Sequence, residues 1–387
     1  MSRIGILSAV LSLMILEARA EVSVLADSTN KWGYGYDSLL KDLALWRLSP
    51  YVHVDSVGAS SEGRALWMVS VSDHGDSLGA SGNISSRKHR VFIHARTHPA
   101  EVQANYISVE AIRFLLDSTD TAAKLRAGFI FNIIPMYNPD GVEDGHPRKN
   151  AHLVDLESNW NQAVIEPEVI CLRHVFEAFM AGPIPIEVAL NLHSDQVNCT
   201  RFFFFHYAAG TSVAYTALEK NYIEGVQGHF PGGIKDWNFV ESWDDTTHTQ
   251  YPEGFWWVHY KENVLALTYE DTNCPNAGRF DSTGRALVLG SVDYIRNKAI
   301  AAVRPLARQE TRMLPGPEGV RIRSRSAPGQ ERWELSDLQG RRISGGWLAP
   351  GENLLTWSAI GNVTGGILSI LGPAEAPSRL LLTASPR

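Results

Sequence analysis

The chain has 387 residues, of which 44% are hydrophobic and 20% are charged. These proportions are ordinary for a folded globular protein and exclude a disordered chain, a coiled coil and a collagen-like fibre. The 35 basic and 42 acidic side chains give a net charge of −7. No basic run is longer than residues 87–90, so the sequence favours neither nucleic acid nor a polybasic membrane anchor.

The first twenty residues have the pattern of a secretory signal peptide. Arg3 supplies a positive charge, residues 4–16 are apolar, and residues 18–20 form an Ala-Arg-Ala cleavage site. We expect residues 1–20 to be removed and the protein to be exported, to the periplasm, the cell surface or the medium. A buried N-terminal helix is the alternative. The apolar stretch is too short to span a bilayer, and no later one is long enough, so no transmembrane anchor is expected.

Strands and helices alternate along the middle of the chain. Five apolar runs predict strands, at residues 65–71, 91–95, 129–136, 186–192 and 264–269. Three segments predict helices, at residues 101–118, 167–180 and 286–302. This alternation predicts an α/β catalytic domain over residues 21–308, with a mostly parallel mixed sheet and helices on both faces. Ligands bind beyond the carboxyl ends of strands in such sheets.

The composition changes near residue 306, and helical periodicity is lost from residue 310 onward. Short strand-like runs separated by Gly- and Pro-rich turns follow. They predict a small β-sandwich over residues 319–387, joined to the first domain by a linker at residues 309–318.

Three predicted strand ends carry side chains that suit zinc. His98 and Glu101 follow one strand, His193 follows another, and Glu270 follows a third. Catalytic zinc takes three nitrogen or oxygen ligands and leaves a fourth position for water. We therefore predict one Zn²⁺ ion on His98, Glu101 and His193, with Glu270 in the same crevice. A single histidine or glutamate past a strand is usually only solvated, so the prediction depends on the joint arrangement.

From about residue 50 to residue 300 the chain resembles the zinc carboxypeptidases of the carboxypeptidase A type, most closely the branch of cytosolic and bacterial carboxypeptidases. The matching motifs, in chain order, are Ser61-Glu62-Gly63-Arg64, His98-Pro99-Ala100-Glu101, Asn138-Pro139-Asp140-Gly141-Val142, Arg148, Asp155-Leu156, Asn159-Trp160, His193-Ser194 and Thr268-Tyr269-Glu270.

The resemblance implies a hydrolase in which zinc activates a water molecule. Glu270 is then the general base and later the general acid, and Arg148 polarises the substrate carbonyl and stabilises the oxyanion. Carboxylates are expected to orient the ligating histidines, with Asp140 as one candidate. Tyr251 or His248 is expected near the substrate, and the spacing does not choose between them.

One departure from the family pattern alters the expected substrate. Where the family has an Asn-Arg pair that grips a free C-terminal carboxylate, this chain has Glu157-Ser158. Losing a charge-assisted hydrogen bond costs about 1.5–3 kcal/mol, and repulsion at ~4 Å adds about 4 kcal/mol at an effective dielectric near 20. We expect Glu157, Ser158 and Asn159 to face an ammonium or polar group instead, as in a cell-wall peptide or an amidated or extended chain.

A replacement anchor is the competing interpretation of this departure. Arg201, eight residues after His193, or Lys149 would then hold the substrate carboxylate. A plain surface charge is the ordinary interpretation of either residue.

The C-terminal segment has a separate resemblance. Residues 335–342, 351–357 and 365–368 are similar to sorting domains of the type IX secretion system. The resemblance implies the outer-membrane secretion machinery as a partner. A carbohydrate-binding or stabilising module is the alternative.

The sequence thus predicts an exported zinc-dependent hydrolase that cleaves an amide bond in a peptide or peptide-like substrate. A non-catalytic binding protein is the first alternative, and retention of Glu270 and Arg148 with all three ligands argues against it. An amidase or deacylase of small acylated amino acids is the second, and the motif order disfavours it. A Cys199–Cys274 disulfide and unpaired cysteines both remain open.

Overall fold

The structure, a computed structural model, describes residues 30–73 and 88–303 and seven strands between residues 312 and 382. The predicted signal peptide at residues 1–20 lies outside the described residues. The chain forms two compact units, Met1–Arg296 and Asn297–Arg387. No helix in the described part of the chain has the length and apolar character needed to cross a membrane.

The first unit is built on a mixed sheet of eight strands. These strands are β1 (Val52–Ala59), β2 (Ala65–Val71), β3 (His89–Ala95), β4 (Phe129–Ile134), β5 (Ile186–Asp195), β6 (Phe202–His206), β7 (Val240–Trp243) and β8 (Leu265–Thr272). Their order across the sheet is β1-β2-β4-β3-β5-β8-β6-β7. Pairing is parallel from β4 through β3 and β5 to β8, and between β6 and β7. The other pairs are antiparallel, so the predicted mixed sheet is confirmed.

Helices cover both faces of this sheet. They are α1 (Tyr36–Trp46), α2 (Val102–Leu116), α3 (Asp120–Gly128), α4 (Pro139–Glu143), α5 (Pro167–Ala181), α6 (Val213–His229), α7 (Pro252–Tyr260) and α8 (Phe280–Val303), with short 3₁₀ turns at Leu156–Ser158 and Lys261–Asn263. Alternate residues of the central strands enter two separate cores. One core contains residues of α2, α6 and α8, and the other contains residues of α5 and α7.

Two central strands extend further than the sequence predicts. β5 continues to Asp195 and β8 to Thr272, so His193 and Glu270 lie inside the strands and face each other in register. The prediction that they follow the strand ends is therefore wrong. An apolar run marks only the part of a strand that carries apolar side chains. The extensions carry polar side chains, most of them buried, and the backbone hydrogen bonds that continue a strand do not depend on side-chain polarity.

The second unit contains two antiparallel sheets. Its strands are β9 (Arg312–Gly316), β10 (Gly319–Ser324), β11 (Arg332–Ser336), β12 (Arg342–Trp347), β13 (Gly351–Thr356), β14 (Gly366–Leu371) and β15 (Ser378–Leu382). The sheet orders are β13-β10-β9 and β12-β11-β14-β15. β9 occupies five residues of the predicted linker at residues 309–318, because it pairs with β10 in a hairpin. The predicted domain limits, residues 21–308 and 319–387, stay predictions.

A disulfide joins two loops at the carboxyl end of the first sheet. Cys199 follows β5, Cys274 follows β8, and their Cα atoms are 5.4 Å apart. Of the two possibilities that the sequence leaves open, the structure has the bridge. It ties together the loops that continue from the strands of His193 and Glu270.

Replacing Cys199 and Cys274 together with serine should lower the free energy of unfolding by about 2–4 kcal/mol, because a bridge across 75 residues restricts the unfolded chain. Urea unfolding of the non-reduced protein measures this difference. Cys171→Ser is the matched control, since Cys171 is free. An unfolding midpoint that is the same with and without the bridge would contradict the prediction.

Candidate metal centre

Three side chains converge at the carboxyl end of the first sheet. His98 and Glu101 come from the loop between β3 and α2, and His193 comes from β5. Nδ1 of His98 is 2.7 Å from Glu101 Oε1, and Nδ1 of His193 is 2.8 Å from Glu101 Oε2. The two Nδ1 atoms are 3.1 Å apart. The donor atoms of all three residues lie within 4.8 Å of one another.

This donor set fits a zinc ion. Two imidazole nitrogens and a carboxylate are among the usual ligand sets of catalytic zinc, which keeps one position open. Two ring nitrogens and a carboxylate facing one point are best satisfied by a shared cation. The predicted ligands His98, Glu101 and His193 are thus brought together.

Arg96 holds the loop that carries two of these ligands. Its φ is +64°, in the left-handed region, and a non-glycine residue there signals a local constraint. Its buried guanidinium donates from Nε to the Pro99 carbonyl at 2.6 Å and from Nη1 to Asn105 Oδ1 at 3.1 Å. Burial lowers the pKa of Arg96 to about 10. The sequence alone did not indicate this role for Arg96, although the residue directly follows a predicted strand.

Asp155 orients His98 from the far side of the ring. Its Oδ1 is 3.2 Å from His98 Nε2, and its Oδ2 accepts a hydrogen bond from Arg148 Nε at 2.6 Å. Burial would raise the pKa of Asp155, but the hydrogen bonds and charges of His98 and Arg148 lower it to about 2. One carboxylate therefore positions a metal ligand and the predicted oxyanion-stabilising arginine together.

Asp140 does not orient a metal ligand, so that expectation is wrong. Its Oδ1 accepts hydrogen bonds from Ser60 Oγ at 2.7 Å and Arg64 Nη1 at 2.7 Å, and its Oδ2 accepts one from Glu62 N at 2.8 Å. These bonds hold the turn after β1 against α4, so the role of Asp140 is structural. A motif that is close to a site along the chain need not contact it.

A cavity of about 590 Å³ opens beside the metal centre. Among the described residues that line it, Arg148 is the only arginine or lysine. The acidic side chains of the lining are Glu101, Glu157, Asp195, Glu241, Glu253 and Glu270. The described lining is therefore rich in carboxyl groups.

Glu270 reaches this cavity from β8, directly across the register from His193. Within the described part of the chain, its buried Oε2 has no hydrogen-bond partner. Burial raises the pKa of Glu270 well above its ordinary value. A carboxylate of raised pKa with a free oxygen beside a metal centre is suited to accept a proton.

Glu157 lines the cavity, but its carboxylate is already engaged. Both oxygens accept hydrogen bonds from Asn191 Nδ2, each at 3.0 Å, and Oε2 is 3.2 Å from His193 Nε2. Burial would raise the pKa of Glu157, but His193 beside it lowers that pKa. The carboxylate thus points to a metal ligand as well as to the cavity.

Two of the other predicted substrate-binding residues are also engaged elsewhere. Asn159 accepts a hydrogen bond from Glu166 N at 2.7 Å and donates to the Val164 carbonyl at 3.1 Å. Arg201 Nε donates to Asp271 Oδ2 at 3.0 Å. Neither these two residues nor Ser158 is among the described residues of the cavity lining.

Tyr251 does line the cavity, at the start of α7. The other candidate for the same role, His248, stacks beside it with ring centroids 6.1 Å apart and is outside the described lining. The structure therefore favours Tyr251 over His248 as the aromatic side chain beside a substrate.

A row of polar side chains crosses three strands next to the centre, and the sequence prediction gave none of them a role at the site. His94 on β3, Asn191 on β5 and Thr268 on β8 are register neighbours. Asn191 Nδ2 donates to Glu253 Oε1 at 3.3 Å, and Thr268 Oγ1 donates to the same atom at 2.7 Å. Burial, and then repulsion by Glu157, raise the pKa of Glu253. The signal for Asn191 was its position two residues before His193, on the same strand face.

Comparison with known sequences identifies relatives of the first unit. The profile of the family described as zinc carboxypeptidase (peptidase M14) matches residues 39–275. Cytosolic carboxypeptidase 6 of Caenorhabditis elegans is 33% identical over 117 residues, which are 29% of this chain and 26% of that protein. Human cytosolic carboxypeptidase 1 is 40% identical over 70 residues, 18% of this chain and 6% of that protein. The chain spans about a quarter or less of these relatives.

Comparison with solved structures agrees with the fold. A metallo-carboxypeptidase from Burkholderia cenocepacia has a TM-score of 0.56 at 20% identity, over 68% of this chain and 70% of that one. Carboxypeptidase A from Helicoverpa armigera has a TM-score of 0.52 at 16% identity, over 76% of this chain and 82% of that one. At these identities the likeness shows the architecture.

Proposed function

Because the family profile matches most of the first unit, the chain belongs to the zinc carboxypeptidase family, and we propose that it hydrolyses an amide bond in a peptide or peptide-like substrate. One observation carries the proposal. A free carboxylate oxygen of Glu270 shares a cavity with the converging donor atoms of His98, Glu101 and His193. A proton acceptor beside a metal centre is what hydrolysis by an activated water requires.

Each residue has a defined task in this reaction. Zinc held by His98, Glu101 and His193 would supply Lewis acidity and a bound water with a pKa lowered to about 7. Glu270 takes the proton of the attacking water and returns it to the leaving nitrogen. Arg148 binds Asp155 through Nε and lines the cavity, and its remaining N–H groups are the proposed oxyanion donors. They stabilise the developing oxyanion, an effect of about 3–4 kcal/mol for one well-placed donor.

The cavity also supports an altered substrate preference. The described lining has six carboxylates and one arginine, and the position of the family Asn-Arg pair holds Glu157 and Ser158. A free C-terminal carboxylate would be repelled there. The part of the substrate near Glu157 and Glu253 therefore carries an ammonium or a neutral polar group. A diaminopimelate-containing peptide, an amidated peptide and an extended chain all meet this requirement.

Glu270→Gln should lower kcat by about 10²–10⁴-fold, because the amide accepts no proton. The measurement is mass spectrometry of digests of free-acid, C-amidated and diaminopimelate-containing peptides by the zinc-loaded protein. Zinc content should be unchanged, since Glu270 is outside the ligand set. Equal products from the wild type and the variant would favour the non-catalytic binding alternative.

The altered anchor predicts that a C-amidated peptide is cleaved with a kcat/KM at least equal to that of its free-acid twin. Replacing Glu157 with Asn and Ser158 with Arg should shift this ratio toward the free acid by about tenfold or more, because repulsion is replaced by a charged hydrogen bond. Zinc is kept in excess, and Asp144→Asn, an exposed change away from the described cavity lining, is the control. A wild type that trims only free-acid peptides would refute the altered anchor.

Export is the second part of the proposed role. The charge, apolar stretch and Ala-Arg-Ala site of residues 1–20 support it. The Cys199–Cys274 disulfide supports it too, because disulfides persist in oxidising compartments. The resemblance of the C-terminal segment to sorting domains makes the outer-membrane secretion machinery the proposed partner.

Export predicts a processed N-terminus. Mass spectrometry of the protein isolated outside the cytoplasm of its native cells should identify Glu21 as the first residue. Protein that stays in the cytoplasm with Met1 or Ser2 at its start would contradict export.

A further inference from the structure

The two histidine ligands share one geometry. Each directs Nδ1 toward Glu101, and each has a carboxylate oxygen 3.2 Å from Nε2 on the opposite side of the ring. For His98 that carboxylate is Asp155, and for His193 it is Glu157. Both rings are almost completely buried, with 3% and 2% of their surface exposed. The two carboxylates come from a single short segment, the 3₁₀ turn at Leu156–Ser158 and the residue that precedes it.

The chemistry of a metal-bound imidazole requires an acceptor at the second nitrogen. A neutral histidine that binds a metal through Nδ1 carries its proton on Nε2. A buried N–H without an acceptor is unfavourable. Within the described residues, His193 Nε2 makes no hydrogen bond of full geometry, and Glu157 Oε2 stands 3.2 Å away. That separation is within the range of an N–H···O hydrogen bond.

We propose that Glu157 is a positioning residue for the zinc ligand His193. It accepts the Nε2 proton of the ring and so fixes the tautomer that presents Nδ1 to the metal. Asp155 serves His98 in the same way, so one turn supports both histidine ligands. Elsewhere in the family the residue at this position binds the substrate carboxylate, whereas in this chain Glu157 supports a metal ligand.

The surroundings of Glu157 are built to hold its carboxylate in place. Asn191, two residues before His193 on the same face of β5, donates Nδ2 to both oxygens at 3.0 Å. The Glu157 backbone N–H donates to Asp155 Oδ1 at 3.0 Å. Only 8% of the Glu157 surface is exposed. The carboxylate is therefore oriented before any ligand arrives.

The length of the Glu157 side chain explains why it can support His193. The family residue at this position is asparagine, which is one methylene shorter and has no charge. Glutamate reaches the ring of His193 and supplies a stronger acceptor for its N–H. The inference depends on the metal centre and not on the substrate, so it can fail while the proposed hydrolase activity stands.

The test is the zinc affinity of two variants, Glu157→Ala and Glu157→Gln, measured by competition with a chelator at constant pH. We expect Glu157→Ala to weaken zinc binding about 10–100-fold, in the range of lost carboxylate partners of metal-bound histidines. Glu157→Gln keeps the shape but loses the charge, and about a tenfold loss is expected. Asp155→Asn removes the charge of the carboxylate beside His98, and its loss of zinc affinity is the reference for Glu157→Gln.

Glu253→Gln is the matched control. Glu253 is another buried glutamate of the same cavity and shares the Asn191 amide, but its described hydrogen bonds go to Asn191 and Thr268 and not to His193. This variant should bind zinc within about twofold of the wild type. It therefore separates a specific contact with the ring from a general effect of replacing a buried glutamate of the same cavity.

The free energy of unfolding of the metal-free variants gives a second readout. A positioning role predicts that Glu157→Gln leaves it near the wild-type value while zinc affinity falls. A merely structural role predicts the reverse, a loss of stability with unchanged zinc affinity. A loss of affinity below threefold in Glu157→Gln, or an equal loss in Glu253→Gln, would overturn the proposal.

Discussion

The register of three parallel strands is the constraint on which the site depends. His94, Asn191 and Thr268 lie side by side across β3, β5 and β8, and two residues later His193 faces Glu270. Side chains alternate between the faces of a sheet, so a slip of one residue would send His193 and Glu270 to the opposite face. The apolar cores on both faces prevent that slip, because each accepts only its own set of alternating side chains.

The burial of carboxylates is the second constraint on the site. The fold brings several carboxylates together at the strand ends, and each has a defined way to tolerate burial. Asp155 is hydrogen-bonded to Arg148 and His98. Glu157 accepts hydrogen bonds from Asn191 and lies beside His193. The pKa of Glu253 is raised, which favours its uncharged form. Buried charges persist when they are paired or hydrogen-bonded. Under the proposed function, the carboxylates that suit a divalent cation also disfavour a substrate carboxylate, so metal binding and substrate preference would have one electrostatic origin.

The sequence predicted the ligands and the sheet because each rests on a local pattern. The apolar runs located the central strands, although not their full length, and the His-x-x-Glu spacing put two ligands in one loop. Contacts between distant segments leave no such pattern. The sequence therefore offers Asp140 as a candidate orienting carboxylate, and it does not show the roles of Asp155, Arg96 and Asn191. The sequence also showed that Glu157 departs from the family, but not that its carboxylate turns to His193 instead of lying free in the cavity, because that depends on how the 3₁₀ turn packs against β5.

The most direct test of this account is a crystal structure of the zinc-loaded protein with anomalous diffraction measured at the zinc edge. The account predicts one anomalous peak, about 2.0–2.2 Å from Nδ1 of His98, Nδ1 of His193 and a Glu101 oxygen. It also predicts that Nε2 of each ring faces its carboxylate from the 155–157 segment. A peak held through Nε2 of either histidine, or located away from these three residues, would contradict it.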